Sequence, residues 1–254
     1  MNEELLVEVR DGVQIMTLNR PEARNAATLA LSQAMAKALD ELDARDDIRL
    51  GIITGAGGNF CAGMDLKGFL RGERPAVEGR GFAGLNERPP RKPLIAAVEG
   101  YALAGGFEVA LACDLIVAAD NANFGLPEVK RGLMATAGGL LRLPHRLPYH
   151  IAMEYILTGN LLPAADAHRF GLVNRLVPAG QALETALELA KTIAANGPLA
   201  TAGSKRVVVE SGAWAPDEQF ARQREVATPV FESQDAREGA RAFAEKRAPV
   251  WQGK

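Results

Sequence analysis

Glu108 is a carboxylate in a setting that indicates acid–base chemistry. It lies between the small residues Ala104-Gly105-Gly106 and the apolar run 109–113. A helix of that composition is buried, and a buried carboxylate is costly unless it has a partner or a chemical role. Compensation of the helix dipole would account for the charge of Glu108, but it would not account for the glycines beside it. We therefore predict that Glu108 is a functional residue.

Glu128 supplies a second carboxylate, directly after the loop 123–127. Considered by itself, a glutamate in a loop is an ordinary surface residue. If it lies beside Glu108 in an apolar site, the two groups hold different protonation states, so that one serves as base and the other as acid. Addition of water across a double bond needs both. The pair predicts hydration or dehydration chemistry, without fixing which glutamate takes which role.

The glycines before Glu108 predict a backbone site for an oxygen that gains negative charge. A buried strand precedes them, and a helix is predicted to begin at Phe107. Unpaired N–H groups at a helix start stabilise such an oxygen, here through Gly105. Loss of one donor of this kind typically raises the activation barrier by about 3 kcal/mol. The small-residue loop 59–66 follows another strand and offers a further N–H group, although ordinary turn chemistry explains its composition equally well.

The elements that must position these residues follow the pattern of an α/β protein. Apolar alternation predicts two strands on either side of a tight turn at Asp11-Gly12, and helical spacing begins after Thr28. Further buried strands, predicted over 50–54, 94–98 and 115–118, alternate with helices.

Two later stretches have a different character. The composition of residues 68–93 turns to Gly, Arg, Glu and Pro, which predicts a mobile surface segment of the kind that forms lids. From Pro198 onward the chain is predicted to be helical, with apolar residues too sparse for a separate core. These helices are expected to pack on the body of the protein or on a neighbouring subunit.

Composition and motifs argue against several function classes. The 254 residues are 48% hydrophobic with a net charge of −2, so nucleic acid is not an expected partner. The N-terminus lacks the features of a signal peptide and no apolar run is long enough to span a membrane, which favours a cytoplasmic enzyme without a membrane partner. Cys61 and Cys113 are expected to be reduced and buried. His145, His150 and His168 lack ligand spacing, so no metal is expected. GxSxG and GxGxxG are absent, which disfavours an α/β-hydrolase or a dinucleotide-binding fold.

Seven segments together resemble the crotonase, or enoyl-CoA hydratase/isomerase, family. They are NRPEARNA (19–26), FCAGMDLK (60–67), PLIAAVEGYALAGGFEVALACDLIVAAD (93–120), FGLPEVKRGL (124–133), AGGLLRLP (137–144), FGLVNRLVP (170–178) and FAEKRAPVW (243–251). Their order and spacing cover nearly the whole chain. The resemblance implies an α/β spiral of ββα units with the active site over residues 1–197. It also implies a helical region over 198–254 that builds a homotrimer, often a dimer of trimers.

The same resemblance implies roles for individual residues. It places an oxyanion hole at the backbone N–H groups of Met64 and Gly105. It makes Glu108 and Glu128 the pair that positions water for syn addition to a 2-enoyl thioester. Contacts to coenzyme A are implied for a set on the early loops and one C-terminal residue: Arg24, Ala26, Ala62, Asp65, Leu66 and Lys246. Coenzyme A is then part of the substrate, and no separate cofactor is expected.

Within that family, four segments are most similar to the carnitinyl-CoA dehydratase branch: GFAGL (81–85), FGLPEVKRGL (124–133), GGLLRLP (138–144) and AFAEKRAPVW (242–251). The chain departs from the family pattern at Ala104, where a third glycine is frequent, and at Met64, where alanine is common. Residues 134–137 replace a frequent Pro-Gly, which predicts an altered acyl pocket. Three functions stay open: an enoyl-CoA hydratase, a 2,3-enoyl-CoA isomerase that needs one catalytic acid, and a non-catalytic acyl-CoA-binding homologue.

Overall fold

The computed structural model describes residues 3–254. Within them the strands are β1 (Leu5–Arg10), β2 (Val13–Leu18), β3 (Leu50–Gly55), β4 (Ala76–Val77), β5 (Gly81–Phe82), β6 (Leu94–Val98), β7 (Tyr101–Leu103), β8 (Leu115–Ala119), β9 (Asn123–Gly125), β10 (Leu162–Pro163) and β11 (Arg175–Val177). The helices are α1 (Leu29–Ala44), α2 (Leu66–Leu70), α3 (Gly105–Ala112), α4 (Gly139–Arg142), α5 (Tyr149–Thr158), α6 (Ala164–Arg169), α7 (Ala182–Ala194), α8 (Pro198–Glu210), α9 (Gln219–Glu232) and α10 (Gln234–Glu245). The predicted alternation of strands and helices is confirmed.

Six strands form the main sheet in the order β1-β2-β3-β6-β8-β11. The first two pair antiparallel through the predicted turn, with Arg10 opposite Val13. The remaining neighbours are parallel. Parallel strands need a crossover between them, and the helices supply it.

A shorter row of strands, β10-β9-β7, forms a second layer. Single bridges between Cys61 and Ala102, and between Ala27 and Met64, extend this row toward the start of the chain. Each winding of the chain thus places one strand in each layer, as β6 and β7 or β8 and β9 do. This arrangement confirms the predicted spiral of ββα units.

The central strands β3, β6 and β8 are buried on both faces and are therefore almost entirely apolar, whereas the edge strand β1 is largely exposed. One face, which includes Ile52 and Ile95, packs on Ala182, Ala186 and Ala190 of α7. The other face contributes to the larger core that contains α1 and α3. Because α3 is enclosed on all sides, every one of its residues is buried.

Residues 68–93 are more firmly integrated than the mobile surface segment that was predicted. They form part of α2 and the β4–β5 hairpin, and they bury Arg80, Leu85 and Asn86 at 5%, 0% and 2% exposure. The polar composition of the segment does not predict this burial, because the charge of Arg80 is paired inside the protein. Arg80 pairs with Asp40 and donates to the carbonyl of Arg88.

Helices α8 to α10 account for most of residues 198–245, as predicted, whereas residues 247–254 form neither helix nor strand. This region is tied to the body of the protein. Lys205 of α8 forms a 2.7 Å ion pair with Asp114. Near the C-terminus, Trp251 donates its indole N–H to the carbonyl of Ala195 at 2.8 Å. Within residues 3–254, no helix combines the length and apolar character that crossing a membrane requires.

Candidate active site

The helix that carries Glu108 begins at Gly105, two residues before the predicted start. Because glycine has a low helix propensity, the sequence predicts both glycines to lie in the loop before the helix. The chain enters this helix through Ala104, whose backbone lies at φ 51° and ψ −129°. That region is essentially reserved for glycine, so Ala104 is strained. Gly106 is required by close packing, because a Cβ atom there would lie 2.1 Å from the carbonyl oxygen of Cys61.

Glu108 is 2% exposed and is anchored through one oxygen. Its Oε1 accepts hydrogen bonds from the backbone N–H groups of Ala137 and Gly139, each at 2.8 Å. Burial raises the pKa of Glu108, while these two N–H groups and the nearby charge of Arg142 oppose the rise. The carboxylate is therefore fixed in orientation and stabilised in its ionised form by donors on a single turn.

Glu128 lies in the 3-10 turn Pro127–Arg131, and its Oε2 is buried without a hydrogen-bond partner among the described residues. Burial raises the pKa of Glu128 to about 7, and the charge of Glu108 acts in the same direction. The two carboxyl groups thus influence each other electrostatically. Glu108 accepts from two backbone N–H groups of another turn, whereas the backbone donor that lowers the pKa of Glu128 is its own N–H group. A proton shared by the pair therefore favours Glu128.

The predicted oxyanion donors, Met64 and Gly105, are brought together by the bridge between Ala27 and Met64 and by the start of α3. A Cβ atom at Gly63 would lie 3.4 Å from the amide nitrogen of Gly105, so the loop before Met64 packs against the helix start. In the hydrogen bonds of residues 3–254, neither of these two N–H groups has a partner. Two free N–H groups beside a carboxylate pair are the arrangement expected for stabilising a developing oxyanion.

Five of the residues predicted to contact coenzyme A lie on two adjoining stretches of chain next to Met64. Ala62 donates its N–H to the carbonyl of Arg24 at 2.9 Å. The guanidinium of Arg24 lies 5.5 Å from the centre of the Tyr101 ring. Ala26 is buried, whereas Leu66 is 55% exposed at the start of α2. The structure brings these residues together along one edge of the site.

Asp65 is the fifth of these residues, and its carboxylate is occupied within the protein. Its Oδ1 accepts from the N–H groups of Lys67 and Gly68 and so caps α2. Its Oδ2 accepts from Arg20 at 2.9 Å, and these partners lower the pKa of Asp65. The side chain therefore orders the loop that carries Met64.

Lys246 is exposed at the C-terminal cap of α10. No hydrogen bond or ion pair within residues 3–254 joins it to the site residues above.

Three residues beside the site were not identified from the sequence. The ring of Phe82 packs against Gly105, and Asn86 and Arg142 surround the turn that anchors Glu108. Phe82 and Asn86 belong to one turn, because the Asn86 N–H donates to the Phe82 carbonyl at 3.3 Å. Phe82 lies within GFAGL, Asn86 follows that segment directly, and Arg142 lies within AGGLLRLP. The two segments are more than 50 residues apart, and no spacing rule in the sequence links them.

Comparisons with known proteins agree with this fold. The profile described as enoyl-CoA hydratase/isomerase matches residues 8–254. Enoyl-CoA hydratase EchA19 of Mycobacterium tuberculosis is 44% identical over 260 residues, covering 99% of this chain and 97% of that protein. Carnitinyl-CoA dehydratase of Proteus mirabilis is 42% identical over 262 residues, covering 100% of both. The crystal structure of enoyl-CoA hydratase EchA1 from Mycobacterium marinum is 60% identical, with a TM-score of 0.98 and full coverage of both chains.

The match extends over nearly the whole chain, and it includes the stretches that hold both glutamates. The chain belongs to the enoyl-CoA hydratase/isomerase family, the crotonases. Relatives named as general enoyl-CoA hydratases and as carnitinyl-CoA dehydratases are similar to it to nearly the same degree.

Proposed function

We propose that the protein is an enoyl-CoA hydratase, which adds water reversibly and syn to the double bond of a 2-enoyl-CoA thioester. The observation that carries the proposal is the asymmetry of the glutamate pair. Glu108 is anchored by two N–H donors, whereas Glu128 has a buried oxygen without a partner within residues 3–254 and a pKa of about 7. A base and an acid side by side are what this addition needs.

In the hydration direction, ionised Glu108 accepts a proton from water as the water oxygen bonds to the β carbon. Protonated Glu128 donates its proton to the α carbon. The thioester oxygen gains enolate character between these events and accepts hydrogen bonds from the N–H groups of Met64 and Gly105. Glu108 ends protonated and Glu128 ionised, and exchange of protons with solvent restores the starting state.

The substrate is proposed to bind through its coenzyme A portion along Arg24, Ala26, Ala62, Asp65 and Leu66. Their position beside Met64 supports this, because a handle bound there places the thioester next to the free N–H groups. Crotonobetainyl-CoA, the dehydration product of carnitinyl-CoA, and crotonyl-CoA, a simple 2-enoyl-CoA, are the thioesters to test first, because the relatives are named as carnitinyl-CoA dehydratase and enoyl-CoA hydratase. Coenzyme A is part of the substrate, and no metal or further cofactor is proposed.

A homotrimer, or a dimer of trimers, is proposed as the assembly. Large apolar side chains on the C-terminal helices support it, because Val208, Phe220, Phe231 and Phe243 are between 72% and 87% exposed. In such an assembly Lys246 would reach coenzyme A bound to a neighbouring copy. Light scattering should give a mass of about three or six times 27.0 kDa.

The function is tested by following loss of enoyl-thioester absorbance with crotonyl-CoA and crotonobetainyl-CoA. Glu108→Gln and Glu128→Gln should each abolish measurable turnover. Glu99→Gln is a matched control, because Glu99 also accepts backbone N–H groups, from Gly180 and Ala182, and should stay active.

Three outcomes would contradict the proposal. Equal turnover by the wild type and Glu108→Gln excludes the mechanism. Isomerisation of a 3-enoyl-CoA that survives Glu108→Ala favours the isomerase. Binding of CoA thioesters without turnover on a broad panel favours a non-catalytic homologue.

A further inference from the structure

Asn86 connects the 83–93 segment to the turn that anchors Glu108. Its side chain is 2% exposed, and its Nδ2 donates to the carbonyl of Ala137 at 2.8 Å. Ala137 in turn donates its own N–H to Oε1 of Glu108 at 2.8 Å. One residue therefore lies between the amide of Asn86 and the carboxylate of Glu108.

Arg142 reinforces the same turn from the other side. Its Nη2 donates to the backbone carbonyl of Asn86 at 2.6 Å, and its Nη1 approaches the carbonyl of Ala137 at 3.5 Å. Gly138 leaves the space for this guanidinium, because a Cβ atom at that residue would lie 2.1 Å from Nη1. Asn86 and Arg142 thus enclose the turn 137–139.

Apolar packing fixes the ends of this turn, because Ala135 and Gly139 are buried, but not its middle. Residues 131–134 before it are exposed, and Ala137 and Gly138 are only half-buried. Hydrogen bonds from Asn86 and Arg142 to this turn therefore add to the apolar packing at its ends as a restraint on the N–H groups that face Glu108. Contacts to the residues that hydrogen-bond a catalytic group decide whether that group keeps its productive geometry.

Asn86 also has a buried oxygen, Oδ1, without a partner among the described residues. An unpaired buried polar atom is destabilising and is rare in folded proteins. An apolar residue of similar size would avoid that cost. We therefore attribute the presence of asparagine to the hydrogen bond that its Nδ2 donates to Ala137.

We propose that Asn86 is a positioning residue, which, with Arg142, holds the turn 137–139 so that the Ala137 and Gly139 N–H groups keep the Glu108 carboxylate in one orientation. This inference rests on the proposed hydratase function for its kinetic readout. In the proposed role, Asn86 acts without contacting the water or the thioester. Its effect reaches the reaction only through Ala137 and Glu108.

The kinetic test uses Asn86→Ala, with Asn86→Leu as a second variant that keeps the branching of the side chain and lacks the donor. We expect kcat to fall about tenfold while KM stays within about twofold, since only the catalytic geometry is disturbed. The acidic limb of the pH profile of kcat should move to higher pH, because weaker N–H donation favours protonation of Glu108.

Gln14→Ala is the matched control. Gln14 is 1% exposed, and its amide donates to the carbonyl of Ala38 at 2.8 Å, between β2 and α1. Its loss should lower the melting temperature to a similar degree and leave the pH profile unchanged. If the Asn86 variants behave like Gln14→Ala, Asn86 is only structural and the proposal is overturned.

A second measurement does not depend on activity. The ionisation of Glu108 is followed in the substrate-free protein by infrared spectroscopy with 13C-labelled glutamate, and its band is identified by its loss in Glu108→Gln. The ionisation midpoint should move upward in both Asn86 variants. A wild type that hydrates no thioester would defeat the proposed function alone, and the infrared midpoint would still decide the role of Asn86. An unmoved midpoint overturns it.

Discussion

The ring of Phe82 occupies the space that a side chain at residue 105 would need. A Cβ atom at Gly105 would lie 2.4 Å from Cζ and 2.5 Å from Cε1 of that ring. Gly105 does not have a positive φ, so its backbone conformation is open to any residue. The glycine at the predicted oxyanion position is therefore required by its neighbour and not by its own backbone.

Gly105→Ala should lower kcat at least about tenfold, because the methyl group displaces Phe82 or shifts the N–H group that faces the substrate. Phe82→Leu removes the tip of the ring, and the double variant should recover most of the loss. A double-mutant cycle on kcat and on melting temperature measures the coupling. Additive effects of the two substitutions would show that the clash with Phe82 is not the reason for glycine at residue 105.

Glu128 should make stability depend on pH in a defined direction. The folded protein raises the pKa of this carboxyl from 4.5 to about 7, so folding favours its neutral form. Relative to Glu128→Gln, the wild type should lose stability as pH rises from about 4.5 to about 7, with no further loss above that. The expected difference at pH 8 is about 2 kcal/mol, reduced from the full pKa shift because the group is partly solvated.

Urea unfolding of both proteins at pH 5 and pH 8 measures this effect. The stability advantage of Glu128→Gln should be larger at pH 8. An advantage that is the same at both pH values would contradict the raised pKa.

Ala104→Gly should stabilise the protein by about 1 kcal/mol, because glycine adopts the backbone angles of this residue without strain. Ala102→Gly is the control, since Ala102 is a buried alanine in β7 without a positive φ and should be destabilised by the same change. Thermal unfolding of the two variants gives the comparison. A destabilised Ala104→Gly would mean that packing of its methyl group outweighs the backbone strain.

Arg24→Gln should raise KM for a CoA thioester about tenfold, the effect of losing one charge-assisted contact. The corresponding pantetheine thioester lacks the nucleotide, so its KM should be unchanged by the substitution. Steady-state kinetics with both substrates separates the two cases. Equal effects on both thioesters would place Arg24 in a structural role, through its contact with Tyr101.

Much of the fold could be predicted because its signals are local. The turn at Asp11-Gly12 joins β1 and β2 as expected, and Thr28 caps α1 by accepting from the N–H of Leu31. The burial of residues 68–93 could not be predicted, because Arg80 is satisfied by Asp40 through folding and not through any pattern in the sequence. Composition reports average polarity, whereas burial depends on partners.

In the candidate site, too, local signals could be predicted from the sequence and long-range contacts could not. Glu108 could be recognised from the glycines and the apolar helix beside it, and Glu128 only by pairing and resemblance. The donors that hold Glu108 come from a turn about 30 residues later in the chain, and the amide that holds this turn comes from Asn86, 51 residues before Ala137. Such contacts are set by the winding of the spiral, which no local spacing encodes.

The turn that contains Phe82 and Asn86 limits how the enzyme can be redesigned. Phe82 packs against Gly105 and Asn86 holds Ala137, so one short stretch supports both the oxyanion side and the carboxylate side of the site. A directed-evolution library that randomises residues 81–86 to broaden the range of acyl groups will contain mostly variants with impaired turnover. Libraries that vary residues 82 and 105 together, with Asn86 retained, offer a route to new substrates that does not begin with a loss of turnover.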